Sequence, residues 1–167
     1  HLVVDGYNII YSWKDVFNIE NEPLEDCRDK LLRIMSNYQG YKKANVIVVF
    51  DAHLVKGSQQ KQSSFDNITV VFTKENETAD NYIERFVYKH GNEHVIRVET
   101  SDYLEQRIIL SNGGIRMSPR ELRQEVEGVS RSQKTTESVK PPKTNTIMSN
   151  LKKDLFAKLD KMRRNKF

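Results

Sequence analysis

The sequence contains a run of five apolar residues, Val46 to Phe50, of which the first four are β-branched. An unbroken apolar run of this kind is typical of a strand buried on both faces, as in the middle of a parallel sheet. Three further strands are predicted at residues 2–4, 68–72 and 95–98. Amphipathic helices are predicted between strands, at residues 23–41 and 78–89. Two further helices are predicted, a short one at residues 103–110 and one that starts at a capping box at Ser118 and runs to about Val129. This alternation favours an α/β fold in which helices cover both faces of a parallel sheet.

The C-terminal part of the chain has a different composition. Residues 133–146 are rich in Ser, Thr and Lys and include Pro141-Pro142, which predicts a linker. Residues 147–167 return to a helical pattern, with apolar residues at Leu151, Leu155, Leu159 and Met162. We therefore predict an α/β domain at residues 1–132, a linker at 133–146 and an amphipathic helix at 147–167.

The net charge of +4 is unevenly distributed. Residues 1–132 hold 17 Lys and Arg against 20 Asp and Glu, a net charge of −3, whereas residues 133–167 hold 10 against 3, a net charge of +7. Such a basic tail suits a polyanion, most plausibly nucleic acid. The alternative is a solvated helix that only aids solubility or shields an apolar patch. The RNA-binding candidates in this helix are Lys158, Lys161, Arg163 and Arg164.

Acidic residues recur where the predicted strands end. Asp5, Asp51 and Asp102 each follow a strand, Asp80 lies in the first turn of a helix, and Glu77 just precedes it. In a parallel sheet these positions share one edge, where ligands of open α/β sheets bind. Carboxylates brought together there repel one another unless a cation neutralises them. Their oxygens suit Mg²⁺ or Mn²⁺, and the chemistry of such a site is attack by metal-activated water on a phosphodiester.

A structural explanation exists for each acid taken alone. Aspartate after a strand often caps the next helix, and an acid in a first helical turn interacts favourably with the helix dipole. It is the coincidence across several strand ends that favours a site.

The ordered motifs Asp5-Gly6-Tyr7-Asn8, Val49-Phe50-Asp51-Ala52, Glu77-Thr78-Ala79-Asp80 and Thr100-Ser101-Asp102-Tyr103 resemble those of NYN domains in the PIN-like nuclease group. The similarity is greatest to the YacP-like family of bacterial NYN ribonucleases and covers most of residues 2–130. It implies a PIN-like, Rossmann-like sheet with a basic C-terminal helix added. The implied activity is that of a metal-dependent endoribonuclease.

The resemblance also implies roles for individual residues. Asp5 is then the first metal ligand, and Asp80 and Asp102 complete the metal shell. Asn8 orients the first ligand or a bound water, so that Asp5, Asn8, Asp80 and Asp102 form the catalytic set. Asp51 and Glu77 stand where related nucleases often place further acids. YacP-like proteins are linked to mRNA cleavage on the ribosome, so mRNA decay is the implied process and the ribosome an implied partner.

Other residues are secondary candidates for contact with RNA. The polar segment 53–66 is predicted to be a mobile loop that carries Lys56 and Lys61, and His53 follows Asp51 closely enough to touch RNA. His53 and His90 lack metal-ligand spacing and are more typical of surface residues. Four aromatic residues after the first motif either stack on bases or pack in the core: Tyr7, Tyr11, Trp13 and Phe17.

Two other functions fit part of the pattern. A catalytically silent RNA- or ribosome-binding module on the same fold is the main alternative, although a pure binder of polyanions has no need of acids at its ligand site. A phosphatase or phospho-receiver also places aspartates at strand ends. The segment after Asp5 lacks a second aspartate two residues on, and the paired acids and later lysine of a receiver are not evident.

The remaining features limit the function classes. No run approaches the ~18 apolar residues of a membrane helix, so no membrane partner is predicted. The single cysteine, Cys27, excludes an internal disulfide and favours a reducing, cytoplasmic location. Gly113-Gly114 lacks the spacing of a phosphate loop, and no small-molecule organic cofactor is predicted.

Overall fold

The computed structural model describes residues 1–52, 60–101 and 109–138, with side chains up to residue 135. Within these residues the strands are β1 (Leu2–Asp5), β2 (Val46–Phe50), β3 (Lys61–Phe65), β4 (Ile68–Phe72), β5 (Arg97–Glu99) and β6 (Ile115–Met117). The helices that we label are α1 (Gly6–Ser12), α2 (Leu24–Lys42), α3 (Ala79–His90) and α4 (Pro119–Ser138). The α/β class predicted from the alternation of strands and helices is confirmed.

The described strands form a six-stranded sheet in the order β3-β4-β2-β1-β5-β6. All neighbours are parallel except β3 and β4, which form an antiparallel hairpin. After β1 the chain proceeds to β2 on one side, and only later returns to place β5 on the other side. The end of β1 therefore lies where the direction of strand order reverses, the position at which open α/β sheets bind their ligands.

Alternating side chains of the central strands build two cores, one on each face of the sheet. Leu2 and Val4 point into a core that also contains apolar residues of α1, α2 and α4. Val3 points into the opposite core, where α3 contributes Ile83 and Val87. Burial on both faces explains why β1 and β2 consist almost entirely of apolar residues.

Several elements differ from the predictions. The segment 53–66 was predicted to be a loop, but its last part forms β3, a strand whose first four residues are exposed. The short helix α1 and the three-residue strand β6 have too few residues to give a periodic signal. Helix α4 ends at Ser138 rather than near residue 129, and so extends into the predicted linker. The helix predicted at residues 103–110 lies almost entirely outside the described residues.

The chain divides into two units, residues 1–130 and 131–167. The first unit contains the whole sheet. Of the second, only the helical residues up to Ser138 are described, so the three-part division of the chain stays a prediction, as does the amphipathic helix at 147–167. Among the described helices, none is long and apolar enough to cross a membrane.

Candidate active site

Asp5 ends β1 on the face of the sheet that α3 covers. Side chains of a strand alternate between faces, so Asp5 lies on the same side as Val3, whose side chain belongs to the α3 core. Asp5 is also the N-cap of α1, because its Oδ1 accepts a hydrogen bond from the backbone N–H of Asn8 at 3.1 Å. The carboxylate is thus held by its strand and by the first turn of the following helix.

Gly6 allows α1 to begin directly beneath a large aromatic ring. A Cβ atom built at Gly6 would lie 2.2 Å from Cε1 of Phe50, which is far inside van der Waals contact. Phe50 is fully buried and precedes Asp51 at the end of β2. A glycine after Asp5 therefore brings the ends of β1 and β2 together with no side chain between them.

Asp51 connects the end of β2 to the start of α3. By the alternation of β2, it lies on the same face as Val49, which packs in the α3 core. Its Oδ1 accepts a hydrogen bond from the backbone N–H of Ala79 at 2.5 Å. Thr78 caps the same helix through the N–H of Asn81 at 3.1 Å. Asp51 therefore has the structural role of binding a helix N-terminus.

Asp5, Asp51 and Asp80 are close enough for their charges to interact. The pKa of Asp5 is raised to about 6, first by burial and then by the negative charges of Asp80 and Asp51, against the lowering effect of the Asn8 and Tyr7 N–H groups. Asp80 lies in the first turn of α3. The positions predicted from strand ends and helix start thus place three acids in one electrostatic cluster.

Asn8 lies in the first turn of α1 and binds two residues at the end of β5. Strand β5 is the neighbour of β1 on the side away from β2. Nδ2 of Asn8 donates to Oε1 of Glu99 at 2.8 Å, and its Oδ1 accepts from the hydroxyl of Ser101 at 2.8 Å. Glu99 is fully buried, in register with Val4. Because Ser101 directly precedes Asp102, Asn8 fixes the backbone that leads to the predicted ligand.

Glu77 is buried and forms an ion pair with Arg85 of α3. Its other oxygen, Oε2, is buried and has no hydrogen-bond partner among the residues that the structure describes. The predicted acid is therefore present near the helix N-terminus, but one of its oxygens is already neutralised by a guanidinium.

The described residues do not complete a metal site by themselves. Within residues 1–52, 60–101 and 109–138, no three His, Cys, Asp or Glu side chains are grouped so that they could hold an ion. Asp102, the third predicted ligand, lies outside the described residues. The donor chemistry still fits a hard divalent cation, because the cluster offers carboxylate oxygens and a raised pKa at Asp5 that positive charge would lower.

The predicted RNA-binding residues are placed only in part. Lys61 is exposed at the start of β3. His53 and Lys56 lie outside the described residues, as do the four basic residues of the C-terminal segment, Lys158, Lys161, Arg163 and Arg164. Of the four aromatic candidates, Trp13 and Phe17 are core residues, and Tyr11 is exposed. Tyr7 packs edge-on against Phe50 with ring centres 5.1 Å apart.

Sequence reasoning missed three residues of this region. Glu99 and Ser101 follow the predicted strand at 95–98, and the signal was a carboxylate placed directly after an apolar strand. The third is Arg28 of α2, whose Nη1 donates to the Tyr7 hydroxyl at 3.0 Å and whose guanidinium lies 5.9 Å from the ring centre of Phe72. No local pattern links Arg28 to the end of β4.

Comparison with known proteins identifies the family of this chain. Residues 2–164 match the YacP-like NYN domain. The chain is 47% identical to YacP of Bacillus subtilis (strain 168), over 131 residues that cover 78% of this chain and 76% of the relative. This chain belongs to the YacP-like NYN domain family. The predicted family is thereby confirmed.

Solved structures of Rae1 (YacP) from Bacillus subtilis have the same fold. A crystal structure of a point mutant of that protein superposes with a TM-score of 0.72 at 38% identity, over 89% of this chain and 88% of that one. A second crystal structure gives 0.68 at 40% identity, over 98% and 94%. NYN domains are generally nucleases, which implies RNA as the substrate of a YacP-like chain, and nucleases of this kind usually use divalent metal ions.

Proposed function

We propose that this chain is a cytoplasmic, metal-dependent endoribonuclease that cleaves mRNA in association with the ribosome. The observation that carries the proposal is the cluster of Asp5, Asp51 and Asp80, in which burial and neighbouring charges raise the pKa of Asp5 to about 6. A cluster that destabilises its own charges is expected where a cation or a proton is held for chemistry. Its place at the end of β1 supports the same conclusion.

We assign Mg²⁺ or Mn²⁺ to Asp5, Asp80 and Asp102. Asp51 and Glu77 are weaker candidates, because Asp51 binds the Ala79 N–H and Glu77 binds Arg85. When bound, a divalent cation activates water and neutralises charge on the phosphodiester. The protein's own contribution is to hold its carboxylates at fixed positions, through the α1 cap for Asp5 and the first turn of α3 for Asp80.

Asn8 acts as a positioning residue in this proposal. Both ends of its amide bind protein groups, Glu99 and Ser101, so that Asn8 connects α1 to the residue before Asp102. In this role Asn8 does not contact a metal-bound water directly. Changes at Asn8 should therefore act through the placement of Asp102.

The proposal also requires positive charge that attracts RNA to an acidic centre. The C-terminal segment holds most of the excess positive charge, and Lys61 adds an exposed cation on β3. Lysine and arginine contacts to phosphates supply affinity with no sequence preference. We assign this role to the four basic residues named in the C-terminal segment, which would hold RNA or ribosomal RNA.

The test is an RNA cleavage assay with the full chain. Purified protein is incubated with RNA in chelator, Mg²⁺ or Mn²⁺, and with translating ribosomes in Mg²⁺ with or without Mn²⁺. We expect metal-dependent products from wild type and none from Asp5→Asn, Asp80→Asn or Asp102→Asn. The matched control is Asp29→Asn, because Asp29 is exposed on α2, and this variant should cleave normally. Equal cleavage by the Asp5→Asn variant, or in chelator, contradicts the proposal.

A second candidate is a catalytically silent RNA- or ribosome-binding module. It is favoured by one observation: among the described residues, no group of three ligands is arranged to hold an ion. The two functions differ in a simple result. A silent module binds RNA as tightly with chelator as with Mn²⁺ and leaves the RNA intact in both.

A further inference from the structure

A groove lies beside α3, on the face of the sheet that also carries Asp5. It has a volume of about 380 Å³. One wall is formed by a stripe of α3 side chains, Tyr82, Arg85, Phe86 and Lys89, spaced three and four residues apart so that they share one side of the helix. The opposite wall carries Gln60 and Gln62, the latter on strand β3. The floor is formed by the sheet residues Ile47 of β2 and Thr69 of β4.

We infer that this groove binds single-stranded RNA on one side of the cleaved bond. The inference rests on the proposed nuclease function and adds a location for the strand. The described lining has two basic residues and no carboxylate of its own: Lys89, and Arg85, which is paired with the neighbouring Glu77. The glutamine amides supply both donors and acceptors, which suit base edges.

Arg85 is oriented for this role by its neighbours. One guanidinium nitrogen is paired with Glu77, Nη2 lies 3.4 Å from Oε1 of Gln60, and the group sits 5.3 Å from the ring centre of Tyr82. The side chain is still 51% exposed. A cation held in place yet open to solvent binds phosphate with little further loss of side-chain freedom.

The groove also has flat apolar surface for bases. Phe86 is half-buried and stands between Tyr82, whose ring centre is 6.4 Å away, and His90, at 4.7 Å. Aromatic rings next to cations are the usual construction of sites for single strands, because every base has a face that stacks. An acidic peptide would use the cations but not this row of rings.

The pair of Arg85 with Glu77 connects the groove to the start of α3. Glu77 directly precedes Thr78, the cap of α3, so the Arg85 guanidinium reaches back toward the helix N-terminus. Lys89 lies one helical turn beyond Arg85, about 6 Å along the axis. A strand that follows the groove from the start of α3 therefore meets Arg85 first and Lys89 next, on the side of the helix away from the Asp80 side chain.

The experiment measures RNA binding separately from cleavage. Full-length protein in chelator is titrated into a fluorescent single-stranded RNA at low and moderate salt, and anisotropy is recorded. We expect Lys89→Gln to weaken binding about fivefold, the effect of losing one charge-assisted contact, and to reduce the salt slope by about 0.7. Phe86→Leu should weaken binding at least as much, with the slope unchanged.

Lys42→Gln is the matched control. Lys42 and Lys89 are both exposed lysines in the last turn of a helix, but Lys42 is on α2, away from the groove. Its variant should bind RNA as wild type does. Far-ultraviolet circular dichroism and melting temperature establish that the Lys89 and Phe86 variants are folded, and Lys89→Arg should restore binding.

The results separate this inference from the proposed function. If wild type binds RNA through the groove residues but cleaves nothing with Mn²⁺, the groove is supported and the nuclease proposal fails. If wild type cleaves RNA while Lys89→Gln and Phe86→Leu bind normally, the groove inference is wrong and the nuclease proposal stands. Absence of RNA binding by wild type also overturns the inference.

Discussion

The side-chain amide of Asn8 donates a hydrogen bond to Oε1 of Glu99 at 2.8 Å, across the end of β1. Glu99 is fully buried, so its side-chain oxygens depend on protein donors in place of water. The amide therefore does two things: it donates to a buried carboxyl oxygen, and it fixes the end of β5 relative to α1.

Asn8→Asp should both destabilise the protein and reduce cleavage. The substitution keeps the shape of the side chain but places a second carboxylate against Glu99 and removes its donor. We expect a loss of about 2 kcal/mol in the free energy of unfolding, measured with urea at neutral pH. The control is Asn92→Asp at an exposed turn position, which should change stability by less than about 0.5 kcal/mol. Equal stability of the two variants would show that the Glu99 contact is unimportant.

Asp5→Asn should stabilise the metal-free protein at neutral pH while abolishing cleavage. Asparagine caps a helix about as well as aspartate, so the bond to the Asn8 N–H is kept. The folded-state pKa of Asp5, about 6, is above its usual value of 3.8, so ionisation costs stability as pH rises through this interval. We expect the free energy of unfolding of Asp5→Asn to exceed that of wild type by up to about 2 kcal/mol at pH 7. The difference should grow from pH 4 to 7 and be absent below pH 4.

The comparison variant is Asp5→Ala, which also removes the charge but loses the cap. It should be less stable than Asp5→Asn by about 1 kcal/mol. Urea unfolding in chelator at several pH values measures both effects. A lower stability of Asp5→Asn than wild type at pH 7 would indicate that Asp5 has a structural role.

Gly6→Ala should destabilise the domain because its Cβ would overlap the Phe50 ring at 2.2 Å. Overpacking of a buried position typically costs about 1–3 kcal/mol. Gly128→Ala is the control, since this glycine lies inside α4 with open space around a built Cβ, and the change should be neutral or stabilising. Phe50→Leu in the Gly6→Ala background should recover part of the loss, and no recovery would mean that the overlap is not the cause.

Glu125 should make the free energy of unfolding depend on pH in the acidic range. Hydrogen bonds from the Arg97 guanidinium, at 2.5 and 3.2 Å, lower the pKa of Glu125 below its usual 4.5, and Tyr38 adds a further bond. Because the folded-state pKa of Glu125 is lowered, its bonds to Arg97 stabilise the folded protein at neutral pH. This stabilisation begins to be lost as the pH falls below about 4.5, and it is gone once the pH is below the folded-state pKa. Glu125→Gln should cost about 1 kcal/mol at pH 7 and progressively less below pH 4.5.

Glu127→Gln provides the comparison for Glu125. Glu127 pairs with Arg123 one helical turn away and is 49% exposed, so its variant should change stability by less than about 0.5 kcal/mol at any pH. Urea unfolding of the three proteins between pH 3 and 7 makes the measurement. A Glu125→Gln difference that stays constant over this range would contradict the assigned cause.

Neutralising four basic residues of the C-terminal segment together should weaken RNA or ribosome binding. The salt slope should fall by roughly 2–3, the value for four phosphate contacts to a single strand. The residues are Lys158, Lys161, Arg163 and Arg164. The control removes the same charge from exposed lysines of the α/β domain, Lys14, Lys42, Lys43 and Lys74. Binding as tight as wild type at low and moderate salt would place the main binding surface elsewhere.

The elements found from sequence are those in which burial leaves a periodic signal. The run that forms β2 and the apolar faces of α2 and α3 are buried, so their residue types report the fold. Strand β3 was missed because its side chains face solvent, and only pairing with β4 makes it a strand. Helix α1 was missed because its seven residues are too few to give a periodic signal, and because its start depends on the packing of Gly6 against Phe50, a contact between distant residues.

The same distinction applies to the candidate site. Asp5 and Asp80 were identified because strand ends and helix starts are readable from sequence, and the topology then brings them together. The structural partners of Asp51 and Glu77 were not readable, because the Ala79 N–H and Arg85 are specified only by how α3 packs on the sheet. The position of Glu99 after an apolar strand was a readable signal, but its role was not, because its partner Asn8 is 91 residues away.

The position of β1 in the sheet has a consequence for hydrogen exchange. β1 lies between two parallel neighbours and beneath cores on both faces, so its amide protons should exchange only when the domain opens globally. β3, the outermost described strand on that side, should exchange through smaller and more frequent openings. The backbone that carries Asp5 therefore belongs to the slowest-opening unit of the protein, and fraying of the β3 edge leaves this carboxylate anchored.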